Sequence, residues 1–183
     1  MTTRRDVWQG LIFALGGATA RSAFQAAGAA AADAVGPGFY TAEELALVGF
    51  LADGIIPRTD TPGAIDAGVP GYMDHLYLTW ASAATQGAHR AQLSAIRDAL
   101  GRFGATGQGD EQRLTALKAL DAAAFGEGYN TPGMGDYRAV KSLIATVYYL
   151  SEPGATQELQ YELVPGRWIA SAPIAEIGRT WAM

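Results

Sequence analysis

The chain has 183 residues, of which 49% are hydrophobic and 17% are charged, and this length and composition favour one compact domain with terminal extensions. Its formal net charge is −5 at pH 7, and no cluster of Lys and Arg follows Arg4 and Arg5, which argues against nucleic acid as a partner. The sequence contains no cysteine, which excludes disulfides, thiolate metal sites and iron–sulfur ligation by these residues.

Residues 1–35 have the layout of an export signal and a linker. The pair Arg4 and Arg5 precedes a moderately apolar run, residues 11–20, and then Ala-rich sequence, which is typical of a twin-arginine signal. The run is too short to span a bilayer, which takes about 20 residues. We therefore expect a periplasmic protein, with peripheral attachment to the inner membrane left open. Arg21 interrupts the apolar sequence and leaves an amphipathic or buried N-terminal helix as the alternative.

Residues 36–153 are predicted to form an all-α domain, a small irregular helical bundle of about five helices. Apolar residues recur at helical spacing in five segments, and no segment alternates apolar and polar residues as a half-buried strand would. The marking residues are Leu45, Val48, Ala52 and Ile55; then Tyr72, Met73, Leu76 and Trp80; then Leu93, Ile96, Leu100 and Phe103; then Leu114, Leu117, Leu120 and Phe125; and finally Tyr137, Val140, Ile144 and Val147.

Capping residues set the expected helix boundaries. Thr41 and Glu44 form a capping box at the start of the first helix, which is expected to run to about Ile56. The third helix is predicted over Gln86–Phe103. Asp110 is expected to cap the fourth helix, and Asp136 to open the fifth.

The segment between the first two helices, residues 55–74, is dense in proline and glycine. Pro57 should stop the incoming helix. Residues 60–63, with the sequence Asp-Thr-Pro-Gly, are typical of a turn. Pro70, near the first helical position, then permits the second helix to begin. The segment is rigid and nearly free of strong nucleophiles, so it suits a docking surface better than a reaction centre, although an ordinary structural corner remains the alternative.

Candidate catalytic residues are few. His75 and His89 lie on different predicted helices, without the spacing of a metal site, and each is expected to be a surface or half-buried histidine. A cluster of Asp60, Asp66 and Asp74 beside His75 is the one place where acid–base chemistry could be assembled. Turn capping explains Asp60 without such chemistry. We therefore predict no catalytic, cofactor-binding or metal site in this chain, with a small enzyme using the Asp60, Asp74 and His75 region as an alternative.

Residues 154–183 lose helical periodicity. This segment contains Trp168 and Trp181, which have little to pack against in so small a core. We predict an extended C-terminal arm that wraps a partner, with disorder as the alternative.

Two stretches of the sequence resemble one known family. Residues 52–64, Ala-Asp-Gly-Ile-Ile-Pro-Arg-Thr-Asp-Thr-Pro-Gly-Ala, with Ala-Gly-Val-Pro at residues 67–70, are similar to the hallmark of the gluconate 2-dehydrogenase subunit 3 family. Residues 148–154, Tyr-Tyr-Leu-Ser-Glu-Pro-Gly, resemble that family's second block. The resemblance covers roughly Thr41 to Gly166.

The resemblance implies a non-catalytic small subunit of a periplasmic FAD-dependent sugar, glycoside or sugar-acid dehydrogenase complex, such as a gluconate 2-, glucose or glucoside 3-dehydrogenase. It implies that FAD is bound by a large flavoprotein subunit, and that a cytochrome c subunit can accept the electrons. It further implies that the small subunit acts as folding partner and export escort of the large one. A membrane-associated assembly or anchor protein remains an alternative.

Partner binding is expected to depend on aromatic residues and prolines more than on charges, since buried aromatic side chains dominate interface energetics. Whether Tyr72 and Trp80 belong to the core or to an interface stays open at this point. The candidate interface residues are Pro57, Asp60, Thr61, Pro62, Gly63, Tyr77, Tyr148, Tyr149, Trp168 and Trp181.

Overall fold

The computed structural model describes residues 38–105, 109–126, 129–162 and 171–182. The described residues contain helices and no β-strand, which confirms the predicted all-α fold. None of the described helices combines the length and apolar character needed to cross a bilayer. In chain order the elements are α1 (Ala42–Ile55), α2 (Val69–Thr79), α3 (Ala83–Arg102), α4 (Asp110–Phe125), α5 (Met134–Leu150), a π-helical turn (Gly154–Glu158) and α6 (Ile174–Ile177).

Local sequence explains where α1 and α2 begin and end. The backbone N–H of Glu44 donates to Thr41 Oγ1 at 3.2 Å and the backbone N–H of Thr41 donates to Glu44 Oε2 at 2.9 Å, so the predicted capping box is formed. Helix α1 ends with Ile56 as its C-terminal cap, directly before Pro57. Helix α2 follows Gly68, whose φ of 71° lies in the left-handed region that favours glycine.

Three predicted boundaries shift in the structure. Ser82 caps α3 by accepting a hydrogen bond from the backbone N–H of Thr85, so this helix begins three residues before Gln86. Gly109 occupies the N-terminal cap of α4, and Asp110 is instead in its first turn, where a carboxylate favours the helix dipole. Helix α5 begins at Met134, after Gly133 with a φ of 88°.

Helix α5 is the centre of the domain. It packs against α1, α2, α3, α4 and the π-helical turn. This helix buries the apolar face that its sequence predicted, since Tyr137, Val140 and Ile144 are almost wholly removed from solvent. Burial of these side chains is the main source of stability in such a core.

One polar network accompanies the α5 core. The Tyr137 hydroxyl donates to Asp121 Oδ1 at 2.8 Å, and Lys141 pairs with the same carboxylate. Burial, followed by the bond to Asp121, raises the pKa of the Tyr137 hydroxyl, which therefore stays protonated as a donor. The Lys141–Asp121 pair is about one-third exposed, so its direct contribution to stability is below about 1 kcal/mol.

The apolar stripes predicted for α1 and α2 are partly misplaced. Leu45 is exposed, whereas Leu47 and Leu51 are buried. In α2, Met73 is buried but Tyr72 is exposed, because neighbouring helical residues project about 100° apart. Trp80, the C-terminal cap of α2, is 72% exposed. The question about Tyr72 and Trp80 is thereby answered, since neither side chain is in the core.

Truncation of the α5 core is expected to destabilise the domain strongly. Ile144 is fully buried, so Ile144→Ala removes three buried carbon atoms and leaves a cavity. We expect a loss of about 2–5 kcal/mol in the free energy of unfolding, measured by urea titration of the circular dichroism signal. Leu150→Ala on the same helix is the control, because Leu150 is 74% exposed. Equal losses in the two variants would contradict this account of the core.

Candidate functional site

The loop between α1 and α2, residues 56–68, is here called the signature loop. Its backbone is closed by internal hydrogen bonds. The N–H of Ala64 donates to the carbonyl of Ile56 at 2.9 Å, and the N–H of Gly68 donates to the carbonyl of Ile65 at 3.0 Å. The loop is therefore held in one shape by its own backbone.

An ion pair between two of its own side chains cross-links the signature loop. Arg58 Nε donates to Asp66 Oδ2 at 2.8 Å, and a second guanidinium nitrogen contacts the other carboxylate oxygen. The backbone N–H of Gly63 donates to the same carboxylate at 2.9 Å. The hydrogen bond from Arg58, followed by that from Gly63, lowers the pKa of the Asp66 carboxyl. Because the Arg58 side chain is 71% exposed, we read this pair as fixing loop geometry more than adding stability.

Gly63 occupies a position where the backbone doubles back on itself. A Cβ at this residue would lie 2.6 Å from the backbone nitrogen of Arg58 and 2.8 Å from the carbonyl carbon of Pro57. Both are backbone atoms that cannot rotate away. The turn predicted at residues 60–63 thus requires glycine for a close approach of two chain segments.

The two stretches that carry the family resemblance meet in space. The Tyr148 hydroxyl donates to the carbonyl of Pro62 at 2.7 Å, and Thr61 Oγ1 donates to Glu158 Oε2 at 2.6 Å. Gly154 permits the chain to turn there, since a Cβ on it would lie 2.0 Å from the carbonyl oxygen of Tyr148. The signature loop, the end of α5 and the π-helical turn therefore form one junction.

The predicted interface residues of the signature loop divide into two groups. Pro57 and Asp60 are exposed, and Asp60 accepts a hydrogen bond from the Thr59 hydroxyl at 3.0 Å. Thr61 and Pro62 are half-buried, and Gly63 is buried. The first group can contact another molecule directly, whereas the second maintains the shape of the loop.

Apolar side chains are exposed on the segments that meet at this junction. Ile65 projects from the signature loop, and Tyr149 and Leu150 project from the end of α5. Tyr149 also packs edge-on against the buried ring of Tyr148, with ring centroids 5.3 Å apart. We call the exposed set Pro57, Asp60, Ile65, Tyr149 and Leu150 the junction surface.

The sequence predicts an extended segment from Gly154 onwards. In the structure this segment begins with the π-helical turn, and the backbone becomes extended after Glu158. Its far end folds back on Gln160. The N–H of Gln160 donates to the carbonyl of Thr180 at 2.8 Å, and the N–H of Ala182 donates to the carbonyl of Gln160 at 2.8 Å. Trp181 is exposed beside this bridge. Trp168, Arg4 and Arg5 lie outside the described residues.

The acidic residues considered for catalysis serve separate bonds. Asp66 belongs to the ion pair that cross-links the signature loop. Asp74 Oδ1 accepts a hydrogen bond from the backbone N–H of Tyr40 at 2.7 Å, and His75 is exposed. Within residues 38–105 and the other described ranges, no three His, Cys, Asp or Glu side chains gather as a metal-binding group. Asp66 and Asp74 are therefore bonded to different parts of the chain, Asp66 within the signature loop and Asp74 to the segment before α1.

Sequence reasoning missed an aromatic cluster formed by Phe39, Tyr40, Tyr77 and His89. Tyr77, a candidate interface residue, is half-buried, and its ring stacks on His89 with centroids 4.0 Å apart. His89 is 1% exposed, whereas the sequence suggested a surface or half-buried position. The sequence does contain a sign of this burial, because His89 precedes Leu93 by one helical turn and therefore lies on the same buried face.

Removing the Tyr148 hydroxyl tests the junction. Tyr148→Phe keeps the ring but leaves the Pro62 carbonyl without this donor, so we expect the free energy of unfolding to fall by about 1 kcal/mol in urea titrations. Tyr149→Phe is the matched control, because its ring is exposed. An unchanged stability of Tyr148→Phe would show that the hydroxyl bond does not hold the junction.

Comparison with known proteins supports the family resemblance of these two stretches. A search of curated proteins and a search of solved structures each gave no match. The family model described as Gluconate 2-dehydrogenase subunit 3 matches residues 42–166, which is more than half of the chain and includes both sides of the junction. The chain belongs to the gluconate 2-dehydrogenase subunit 3 family.

Proposed function

We propose that this chain is the non-catalytic small subunit of an FAD-dependent sugar, glycoside or sugar-acid dehydrogenase complex, and that it docks on the large flavoprotein subunit through the junction surface. Membership of a family of dehydrogenase subunits supports the general role. The observation that carries the docking site is the convergence of the two family stretches on one rigid junction with exposed apolar residues.

Rigidity of the signature loop favours docking. A loop already fixed by the Ile56–Ala64 and Arg58–Asp66 bonds loses little conformational entropy when a partner binds. Tyr149 and Leu150 supply two adjacent exposed apolar side chains that a partner could cover. Tyrosine is one of the residue types that most often become anchors at the centre of an interface.

In this proposal the redox chemistry belongs to other subunits. The large subunit binds FAD and selects the sugar or sugar acid, and a cytochrome c subunit is a candidate electron acceptor. The small subunit holds the large one in a folded, flavin-loaded state. This division of labour is supported by the family's name, which makes the chain a subunit of a dehydrogenase.

Export is the second part of the proposed role. Arg4 and Arg5 precede an apolar run, as in signals of the twin-arginine route, which carries proteins that are already folded. A small subunit with such a signal can take a bound large subunit to the periplasm. The support for this step is sequence pattern alone, since residues 1–35 lie outside the described residues.

Disrupting the junction surface is expected to weaken the complex. We expect Tyr149→Ala combined with Leu150→Asp to reduce binding to the flavoprotein subunit by about 30-fold or more, because loss of a central anchor costs about 2 kcal/mol. The measurement is recovery of flavin-loaded complex after co-expression with the large subunit, which carries the affinity tag.

Leu78→Asp combined with Trp80→Ala is the matched control for this pair, because both side chains are exposed on α2. If the Tyr149/Leu150 variant binds the large subunit as well as the unmodified chain does, the docking site is not the junction surface. A large subunit that is soluble, flavin-loaded and active at full yield without this chain would overturn the proposed function itself.

Changing the arginine pair is expected to block export of both subunits. With Arg4→Lys and Arg5→Lys, we expect the small and large subunits to accumulate together in the cytoplasm, and periplasmic dehydrogenase activity to fall at least tenfold. The measurement is immunoblotting of cell fractions with an activity assay on each. Arg21→Lys, a change in the same segment outside the pair, is the control. Unchanged periplasmic activity in the double variant would contradict the escort role.

A further inference from the structure

His89 of α3 is buried in an aromatic cluster with Phe39 and Tyr40, which precede α1, and with Tyr77 of α2. Its ring stacks on Tyr77 of α2 with centroids 4.0 Å apart and an interplanar angle of 12°. The Phe39 ring also stacks on Tyr77, with centroids 5.2 Å apart, and Tyr40 lies edge-on to Phe39 at 5.0 Å. The segment before α1 is thus held against α2 and α3 by rings that surround one imidazole.

The hydrogen bonds of His89 fit its neutral form. Nε2 lies 2.7 Å from the Tyr40 hydroxyl, and Nδ1 lies 3.3 Å from Gln92 Oε1. An amide oxygen accepts and does not donate, so Nδ1 carries the hydrogen and Nε2 accepts the hydroxyl hydrogen of Tyr40. Burial raises the pKa of the Tyr40 hydroxyl, which keeps it a donor.

The charged groups around this cluster come from three helices. Arg90 of α3 lies over the Phe39 ring at 4.5 Å and donates to the Glu44 carboxylate of α1 at 2.8 Å. Asp74 of α2 accepts the backbone N–H of Tyr40 at 2.7 Å. The negative charge of Glu44 is therefore already paired with Arg90, and the two nitrogens of the His89 ring bond to the neutral side chains of Tyr40 and Gln92.

We propose that the contact of Tyr40 with His89 and Tyr77 is an acid-sensitive latch, which holds Phe39 and Tyr40 against α2 and α3 while His89 is neutral and releases them when it is protonated. A second proton on Nε2 would turn this nitrogen from acceptor into donor, so the Tyr40 hydroxyl would have to rotate and accept, and its own hydrogen would lose its buried partner. It would also place a cation in a buried site lined by aromatic rings. Releasing Phe39 and Tyr40 admits water to the imidazolium. The bundle centred on α5 is expected to stay folded when the latch opens.

The direction of the pH effect follows from linkage. Burial lowers the pKa of His89 in the closed latch, while the bond to Gln92 and the charge of Glu44 oppose this and Arg90 adds to it. The open latch has the ordinary histidine pKa of about 6.5. Closure is therefore fully favoured above about pH 6.5 and weakens about tenfold per pH unit as the pH falls towards the lowered pKa of the closed form.

Amide hydrogen exchange of the full chain tests the latch. The reporter is the backbone N–H of Tyr40, which is bonded to Asp74 only while the latch is closed. Corrected for intrinsic exchange, its protection is expected to be constant from pH 7.5 to 6.5 and to fall several-fold to tenfold by pH 5.5. The amide of Ile144 in α5 is expected to keep its protection over the same range.

Two variants separate this effect from other titrations. In His89→Gln the fall in Tyr40 protection between pH 6.5 and 5.5 is expected to disappear, and in His75→Gln, with its exposed ring, to persist. If His89→Gln does not fold, the ring nitrogen resonances of His89 in the unmodified chain must show protonation over the pH range in which Tyr40 loses protection. A pH-independent Tyr40, or a parallel loss at Ile144, would overturn the latch.

Discussion

The hydrogen bond from Tyr148 to the carbonyl of Pro62 joins residues 86 positions apart in the chain, and the arrangement of the surface depends on it. It fixes the signature loop to the last turn of α5, the helix that all other core helices contact. A proline-rich loop cannot satisfy its carbonyl groups through regular secondary structure, so it needs donors from elsewhere. Tyr148 and the buried face of α5 provide that donor on a rigid support, and the exposed Tyr149 and Leu150 follow it directly in the sequence.

Polar contacts in this domain mainly fix loops and connecting segments, and they contribute less to the packing of the core. The buried faces of α1 and α5 are mainly apolar. The hydrogen bonds of Asp74 and Glu158 each join a chain segment to a helix or turn, and that of Asp66 closes the signature loop on itself. Hydrophobic burial then determines how stable the bundle is, and the polar side chains determine where its loops lie. Because different side chains determine the stability of the bundle and the position of its loops, a small domain can carry a rigid surface.

Much of the fold follows from local sequence signals. The capping box at Thr41, the stop at Pro57 and the apolar face of α5 depend on residues a few positions apart, and the structure contains all three. The exposure of Trp80 and the burial of His89 depend on which helices pack against α2 and α3, which local periodicity does not specify. The junction was not predictable for the same reason. The sequence marks residues 55–74 and 148–154 as unusual, but their meeting is set by the tertiary packing of α5.

The bridge between Gln160 and Trp181 has a practical consequence for handling the protein. It returns the chain to the π-helical turn, where Arg179 also donates to the carbonyl of Gln157. A fluorescent protein or peptide fused to the C-terminal end would begin close to Gln160, to which Ala182 is hydrogen-bonded. A bulky fusion would therefore lie against a structured segment of the domain, whereas a small dye coupled to the Lys118 amine, which is exposed on α4, leaves both that segment and the helix intact.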